Sequence, residues 1–311
     1  MLRVLVLGSA AGGGFPQWNS NDAASQRARR GDPLVVPRTQ SSIAVSADDR
    51  RWVIVNASPD LRQQLNDTPE LHANPKHGLR HSPIKAAVLT NGDVDHVIGL
   101  VNLREAQPFS IYGTDRVLDI IKSNTVFQVL AAPLVPRIPL PLDQPAALEG
   151  AGADLGLTVE AFAVPGKVAL YLEDASAGAD FGTQEGDTVG LKISDPATKT
   201  SFFYVPGCAT IDETLAKRLK GASIVFFDGT LFTDDEMIEQ GLLGKTGARM
   251  GHISMSGPAG SIAAFSQLGV GRLIYVHINN SNPALDENSA ARKAIEAAGW
   301  EVGYDGLEVR L

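Results

Sequence analysis

The chain has 311 residues, with 27 basic and 35 acidic side chains and a formal net charge of −8. This charge disfavours a nucleic-acid-binding protein, which needs a basic face to neutralise phosphates. The hydrophobic content of 44% suits a globular protein with a large core. No apolar run approaches the roughly 18–20 residues of a membrane helix. The single cysteine, Cys208, excludes an internal disulfide. We therefore expect a cytoplasmic protein that binds neither nucleic acid nor membrane.

The predicted elements follow an α/β pattern along the chain. Apolar and β-branched runs predict strands over 3–7, 42–45, 52–56, 86–90, 109–112, 158–164, 188–193, 201–205, 223–227 and 273–276. Helices, the first with Ser58 as its N-cap, are predicted over 59–65, 115–123, 211–219, 233–239, 257–267 and 287–298. Residues 19–40 suit a loop, and the prolines between 131 and 146 suit an extended connector. Hairpin-like early strands and later strand–helix alternation predict packed sheets with helices outside.

The segment Thr90–His96 carries the strongest chemical signal. It follows a predicted apolar strand, so its side chains are expected at the carboxyl end of that strand, where sites commonly form. Asp93, Asp95 and His96 offer oxygen and nitrogen donors that suit a divalent metal such as iron, manganese or zinc. The structural alternative is an Asp-rich turn that caps the following helix.

Three later segments place a polar side chain beside a predicted strand or helix. Asp228 follows one strand, His252 precedes a helix, and His277 follows the last predicted strand. Each residue taken singly suits a hydrogen-bonded structural role as well as a chemical one. Together with Asp95 and His96 they could converge at one end of a sheet. Two histidines and one carboxylate form the facial triad of non-haem Fe(II) oxygenases.

Two further segments carry weaker signals. The small residues Gly8–Gly14 lack the G-x-G-x-x-G spacing of a dinucleotide loop, so a close approach of the backbone to a ligand or strand is the better interpretation. The basic run Arg27, Arg29 and Arg30 suits a solvated loop, or a site that binds a carboxylate-rich substrate through arginine forks.

Six segments spread over the whole chain resemble segments of one known protein family. They are Gly8–Asn19, Leu89–Leu100, Val205–Cys208, Asp228–Thr230, Gly251–Ser254 and Val276–Asn280. Together they resemble the pyrroloquinoline quinone (PQQ) biosynthesis protein B family, within the metallo-β-lactamase superfamily. The resemblance implies an α/β fold in which two packed mixed sheets with flanking helices form an αββα sandwich. It also implies a single domain over residues 1–311.

The resemblance also implies how many metal ions are bound. Hydrolases of the superfamily carry a His-x-His-x-Asp-His motif. Asn91 and Asp93 stand at the two leading histidine positions here, whereas Asp95 and His96 match. A two-metal hydrolase is therefore disfavoured, since its bridging hydroxide needs both ions. The resemblance implies one metal ion, held by Asp95, His96 and His277.

Two other departures from the family pattern stand out. The usual bridging aspartate falls near Cys208, so that ligand is expected to be lost. Many relatives have a cysteine-rich stretch, resembling a structural zinc site, where this chain has Ser20, Asp22 and Ser25. We expect that zinc site to be absent and the loop to be held in another way.

The function that the resemblance implies is a step in making the redox cofactor PQQ from a cross-linked Glu–Tyr diamino acid. Oxygen must enter the tyrosine ring, which implies a mononuclear Fe(II) hydroxylase with O2 as co-substrate. Zinc would be an inactive substitute, because it has no redox change. The residues expected to act in catalysis are Asp93, Asp228 and His252. The residues expected to bind substrate are Asn91, Arg27, Arg30, Arg38 and Arg249.

Two other functions stay open at this point. One is a non-catalytic carrier or transport factor for PQQ or its precursor, and the other is hydrolysis of an ester, amide or phosphodiester. The expected partners are the small-molecule precursor and other proteins of the PQQ pathway. A homodimer is left open.

Overall fold

Two seven-stranded mixed sheets pack face to face in the computed structural model, which describes residues 1–178 and 180–311. The strands of the first sheet are β1 Arg3–Gly8, β2 Ser42–Ser46, β3 Trp52–Val55, β4 Ile84–Val88, β5 Ser110–Gly113, β6 Arg137–Pro139 and β14 Glu308–Arg310. The strands of the second sheet are β7 Pro145–Gly150, β8 Ala153–Ala163, β9 Val189–Asp195, β10 Thr200–Val205, β11 Ile224–Asp228, β12 Arg272–Val276 and β13 Trp300–Val302.

The strand order shows how the chain builds the two sheets. The first has the order β14-β1-β2-β3-β4-β5-β6, and the second has the order β13-β12-β11-β10-β9-β8-β7. Strands β3 to β6 run parallel, as do β10 to β13, and the other pairs are antiparallel. Hairpins and helical crossovers therefore occur in both sheets, as the sequence predicts.

Helices pack on the outer faces of both sheets. The α-helices in the described part of the chain are α1 Ala23–Arg29, α2 Leu61–Asp67, α3 Val94–Val97, α4 Asp115–Ser123, α5 Glu213–Leu219, α6 Glu236–Glu239, α7 Gly247–Met250, α8 Ser261–Phe265 and α9 Ala290–Ala297. Short 3-10 turns are Pro69–Leu71, Pro75–His77, Ile98–Leu103, Thr125–Val129, Leu170–Leu172 and Pro283–Leu285. Within the described ranges, no helix has the length and apolar character needed to cross a membrane.

Three apolar layers stabilise this arrangement. The central layer lies between the sheets and includes Ile43 of β2 and Phe226 of β11. One outer layer includes Leu118 of α4, and the other includes Phe265 of α8 and Ile295 of α9. Removing these side chains from water is the main favourable contribution to folding. The predicted sandwich of two packed mixed sheets with flanking helices is confirmed.

Several local predictions need correction. The helix predicted over 59–65 runs instead over Leu61–Asp67, and Ser58 does not cap it, because the Ser58 hydroxyl donates to Gln64 at 3.2 Å. The connector predicted over 131–146 contains β6 and the start of β7. Both are the outermost strands of their sheets, where proline is tolerated because one side of the strand needs no ladder hydrogen bonds.

The loop predicted over 19–40 contains helix α1, which is organised around one carboxylate. Asp22 is the N-cap residue and accepts from the backbone N–H of Ser25 at 2.8 Å. It also accepts from the hydroxyls of Ser20 and Ser25, each at 2.5 Å. Burial opposes the charge of Asp22, but these donors outweigh burial and lower its pKa. Ser20, Asp22 and Ser25, which stand where a zinc site is expected to be absent, thus form a hydrogen-bonded cluster that holds the loop.

Candidate metal centre

The candidate site lies where strands of the two sheets end. Strand β4 of the first sheet leads into the segment that carries Asp95 and His96, and β11 of the second sheet ends at Asp228. His277 directly follows β12, the parallel neighbour of β11. Since the carboxyl ends of parallel strands share an edge, polar side chains that follow them gather there. The site therefore draws its residues from both halves of the sandwich.

Asp95, His96 and His277 point their donor atoms at a common space. Nε2 of His277 lies 3.2 Å from Oδ2 of Asp95, and Nε2 of His96 lies 3.7 Å from the same oxygen. One donor atom from each of the three residues lies within 4.8 Å of the others. The fold thus brings together the three residues that the sequence predicts as a metal set, although they are up to 182 positions apart.

Hydrogen bonds at the far sides of the rings fix this orientation. Nδ1 of His96 lies 2.7 Å from Oδ1 of Asn91, an amide oxygen that only accepts, so Nδ1 carries the hydrogen. Nδ1 of His277 lies 2.8 Å from Oγ1 of Thr230, whose own hydrogen goes to Asp228 at 2.6 Å. The imidazole of His96 therefore presents an unprotonated Nε2 to the common space, which is the tautomer that metal-ligating histidines need, and Thr230 holds the ring of His277 in place.

The donor set fits a metal ion. Nε2 of His96 is buried and has no hydrogen-bond partner in the described part of the chain. Burying a polar atom without a partner costs free energy. A ligand bound to this nitrogen would remove that cost. His277 adopts a φ of 58°, a backbone conformation that costs a non-glycine residue about 1–3 kcal/mol and that clusters at functional sites. Together these features fit an ion between Asp95, His96 and His277.

A second group, Asp228, His252 and His277, also has donor atoms within 4.8 Å of one another. These atoms are already hydrogen-bonded. Oδ2 of Asp228 accepts from Nδ1 of His252 at 2.7 Å and from the backbone N–H of Cys208 at 2.9 Å. The Thr230 hydroxyl lies 3.0 Å from His252 and 2.8 Å from His277. This group is therefore a support that orients His252 and His277.

The charge states at the site suit metal binding at neutral pH. Burial lowers the pKa of His96 to about 4, so its imidazole is neutral. Burial would raise the pKa of Asp95, but the imidazoles of His96 and His277 outweigh it and hold that pKa well below its usual range. Burial, helped by the neighbouring Asp95 charge, raises the pKa of Asp93 to about 6. Neutral imidazole and ionised carboxylate are the forms that bind metals.

A cavity of about 300 Å³ opens onto this set. Among the predicted residues, those that line it are Asn91, Asp93, Asp95, His96, His252 and His277. Asp228 is fully buried behind His252 and does not line the cavity. Burial opposes protonation of His252, but the Asp228 carboxylate outweighs it and raises the pKa of His252. With Nδ1 held by Asp228, the other ring nitrogen of His252 is left for a ligand in the cavity.

The predicted substrate-binding arginines lie outside the lining of this cavity. Arg27 pairs with Asp32 and Asp286, and Arg30 donates to Gln26 at 3.3 Å. Arg38 is buried and donates to the backbone carbonyl of Gly303. Arg249 donates to Glu173 at 2.9 Å. The substrate contacts assigned to these arginines stay predictions.

Three residues at the site have no role that the sequence predicts. Thr230 connects Asp228 to both His252 and His277, and its only signal is its place directly after a strand-end Asp-Gly pair. Lys167 and Lys245 line the cavity from irregular segments, where no periodic pattern marks them.

Replacing Thr230 with valine tests the support directly. The substitution keeps the side-chain shape but removes the hydroxyl that orients His277, so we expect metal affinity to fall about 10- to 100-fold. Titration of the metal-free chain with a divalent ion in competition with a chelator measures this. Thr214→Val, on the exposed face of α5, is the matched control and should leave the affinity unchanged. Equal metal affinity in Thr230→Val and the wild type would show that the hydroxyl does not orient a ligand.

Comparison with known proteins places the chain among its relatives. Residues 51–278 match a family model described as the beta-lactamase superfamily domain. The chain is 52% identical to the coenzyme PQQ synthesis protein B of Gluconacetobacter diazotrophicus over 310 residues, which cover 99% of each protein. It is also 52% identical to the protein of that name from Methylobacterium nodulans, over 100% of each chain. The chain belongs to the coenzyme PQQ synthesis protein B family.

Solved structures agree with this membership. The crystal structure of Zn(2+)-bound PqqB from Methylobacterium extorquens has a TM-score of 0.93 and 49% sequence identity, covering 99% of this chain and 100% of that one. A diphosphatase of the PhnP family has a TM-score of 0.67 at 18% identity, which shows a shared fold alone. The fold of this PQQ synthesis protein B family member is therefore that of the metallo-β-lactamase superfamily, as the resemblance implies.

Proposed function

We propose that this chain takes part in PQQ biosynthesis as a mononuclear Fe(II)-dependent oxygenase that hydroxylates the tyrosine ring of the cross-linked Glu–Tyr precursor. The observation that carries this proposal is the convergence of Asp95, His96 and His277, with Nε2 of His96 buried and without a partner. Two imidazoles and one carboxylate are the donor set of non-haem Fe(II) oxygenases. Iron bound there would supply the redox change that oxygen insertion requires and that zinc lacks.

The residues around this set support one ion rather than two. Asn91 uses its amide oxygen to orient His96, and Oδ1 of Asp93 accepts from the backbone N–H of Leu170 at 3.0 Å. Burial raises the pKa of Cys208, so its sulfur stays a thiol, whereas the thiolate is the metal-binding form. These positions would have to hold a second ion in a two-metal hydrolase. Oδ1 of Asn91 and Oδ1 of Asp93 are engaged elsewhere, and the sulfur of Cys208 is protonated.

The remaining residues have roles in binding and proton transfer. His252 faces the cavity with its Nε2 and is held through Nδ1 by Asp228, so it can accept or deliver a proton at Nε2 when the phenol of the substrate reacts. Asp228 acts as a positioning residue, because it fixes the tautomer and orientation of His252. Asp93 borders the same cavity and offers a second place to hold a proton.

Anaerobic loading with Fe(II), followed by oxygen, the Glu–Tyr precursor and a two-electron reductant such as ascorbate, tests this proposal. One oxygen atom of O2 would enter the ring, and the other would leave as water with the two electrons of the reductant. We expect a catechol product from the iron-loaded chain and none from the zinc-loaded chain. Equal activity with zinc would contradict the proposal, as would two metal equivalents per chain with hydrolysis of simple esters. Tight binding of PQQ without turnover under any metal would assign the chain a carrier role instead.

A further inference from the structure

The cavity next to the metal set has two chemically different parts. Its floor holds the carboxylates and imidazoles described above. Apolar side chains form its walls and suit a planar aromatic ring; they are Leu170, Met237, Leu243 and Met250. Its cationic lining residues, within the described part of the chain, are Lys167 and Lys245. A ligand that presents a phenol to the floor therefore extends past these two ammonium groups.

Lys167 is already neutralised by the protein. Its Nζ is paired with Glu173, which also accepts from Arg249 at 2.9 Å. The guanidinium of Arg249 in turn lies 3.6 Å from the ring centre of Phe181. The charge of Lys167 is thus used to hold the segment that follows it against the cavity, where the backbone N–H of Leu170 donates to Asp93.

Within the described residues, Lys245 differs from Lys167 in having no acidic partner. It forms no salt bridge within residues 1–178 and 180–311, although it is half-buried at the cavity wall next to Leu243. It lies in the segment between α6 and α7. A half-buried ammonium group that faces a cavity and lacks a counter-charge can gain a charge-assisted hydrogen bond from an anionic ligand.

We propose that Lys245 is the carboxylate anchor of the substrate pocket, which selects a carboxylate-bearing aromatic ligand over its neutral counterpart. This inference rests on the proposed function, because the Glu–Tyr precursor supplies both the phenol and the carboxylates. The phenol end lies at the metal set, and a carboxylate on the same ligand binds Nζ of Lys245. Of the arginines predicted from the sequence, Arg27, Arg38 and Arg249 are engaged by other groups. Arg30 donates to Gln26 and lies outside the cavity lining.

The test is ligand binding to the zinc-loaded chain, in which no redox turnover occurs. PQQ, a tricarboxylate, and its trimethyl ester serve as the two probes in calorimetric titrations. We expect Lys245→Met to raise the Kd of PQQ about tenfold or more, the effect of losing one hydrogen bond to a charged group. Lys245→Arg keeps the charge and should stay within about threefold of the wild type. Lys220→Met, on an exposed residue at the end of α5, should not change the Kd.

The ester separates carboxylate recognition from general packing. It should bind more weakly than PQQ to the wild type and equally well to the wild type and Lys245→Met. An unchanged Kd of PQQ in Lys245→Met, an equal loss for both probes, or no preference of the wild type for PQQ would overturn the inference. Failure of the oxygenase proposal would show differently, as an iron-loaded chain that binds PQQ normally yet gives no hydroxylated product.

Discussion

Replacing His277 with alanine is expected to reduce bound iron from one equivalent per chain to less than about a tenth, and to abolish oxygenase activity. His277 supplies one of the two imidazoles and lies 3.2 Å from Asp95, so its loss leaves one imidazole and one carboxylate. Metal analysis after anaerobic loading and removal of free iron measures the change. Asp95→Ala should give the same result, because it removes the only carboxylate of the set.

His72→Ala is the matched control for this experiment. The His72 side chain is exposed, and its ring forms a hydrogen bond with the backbone carbonyl of Asn66 at 2.9 Å. Its iron content should equal that of the wild type. Circular dichroism would establish that the His277 variant is folded. A folded His277→Ala chain that keeps a full equivalent of iron and full activity would mean that the ion lies elsewhere.

The second large effect is expected for Gly99→Ala, which should destabilise the fold by about 3 kcal/mol or more. Gly99 lies in the turn after α3, where a Cβ atom would be 1.9 Å from the backbone oxygen of Ser58 and 2.7 Å from that of Ala57. Neither backbone atom can rotate away as a flexible side chain would. The N–H of Gly99 also donates to the Ala57 carbonyl at 2.9 Å, so relief of the clash would break this contact.

The contact between Gly99 and Ala57 also connects the stability of the fold to the metal site. The N–H of Ala57 donates to the carbonyl of His96 at 2.7 Å, so a displaced Gly99 turn would move His96 as well. Urea unfolding measures the loss of stability. Gly244→Ala is the control, since a Cβ there meets open space and its φ is not in the left-handed region. Equal stability of the Gly99 and Gly244 variants would show that the close approach is not needed.

The central strands of both sheets are predictable from the sequence for a simple reason. Strands such as β3 and β11 are buried on both faces, so they are apolar over nearly their whole length and stand out as short apolar runs. Strands β13 and β14 have three residues each and escape such a pattern. β14 is stabilised by pairing with β1 across nearly the whole chain, Val309 opposite Val4, which no local pattern records.

The metal set is predictable for a related reason, and the rest of the pocket is not. Asp95 and His277 each follow an apolar strand, a place where polar side chains stand out in the sequence. Strands β4 and β12 belong to different sheets, so the packing of the two sheets brings these residues together. The sequence shows that Arg27 and Arg38 are charged. It does not show that Arg27 pairs with Asp286 or that Arg38 donates to the carbonyl of Gly303, because these partners are far away along the chain. Lys245 approaches the cavity because of tertiary contacts of an irregular segment, which leaves no periodic signal.

The most direct test of a single ion between Asp95, His96 and His277 is crystallography of the anaerobically iron-loaded chain with data collected at the iron absorption edge. We expect one anomalous peak per chain, about 2.0–2.3 Å from Nε2 of each imidazole and from a carboxylate oxygen of Asp95. Two peaks per chain, or a single peak between Asp228 and His252 with none beside His96, would contradict this account.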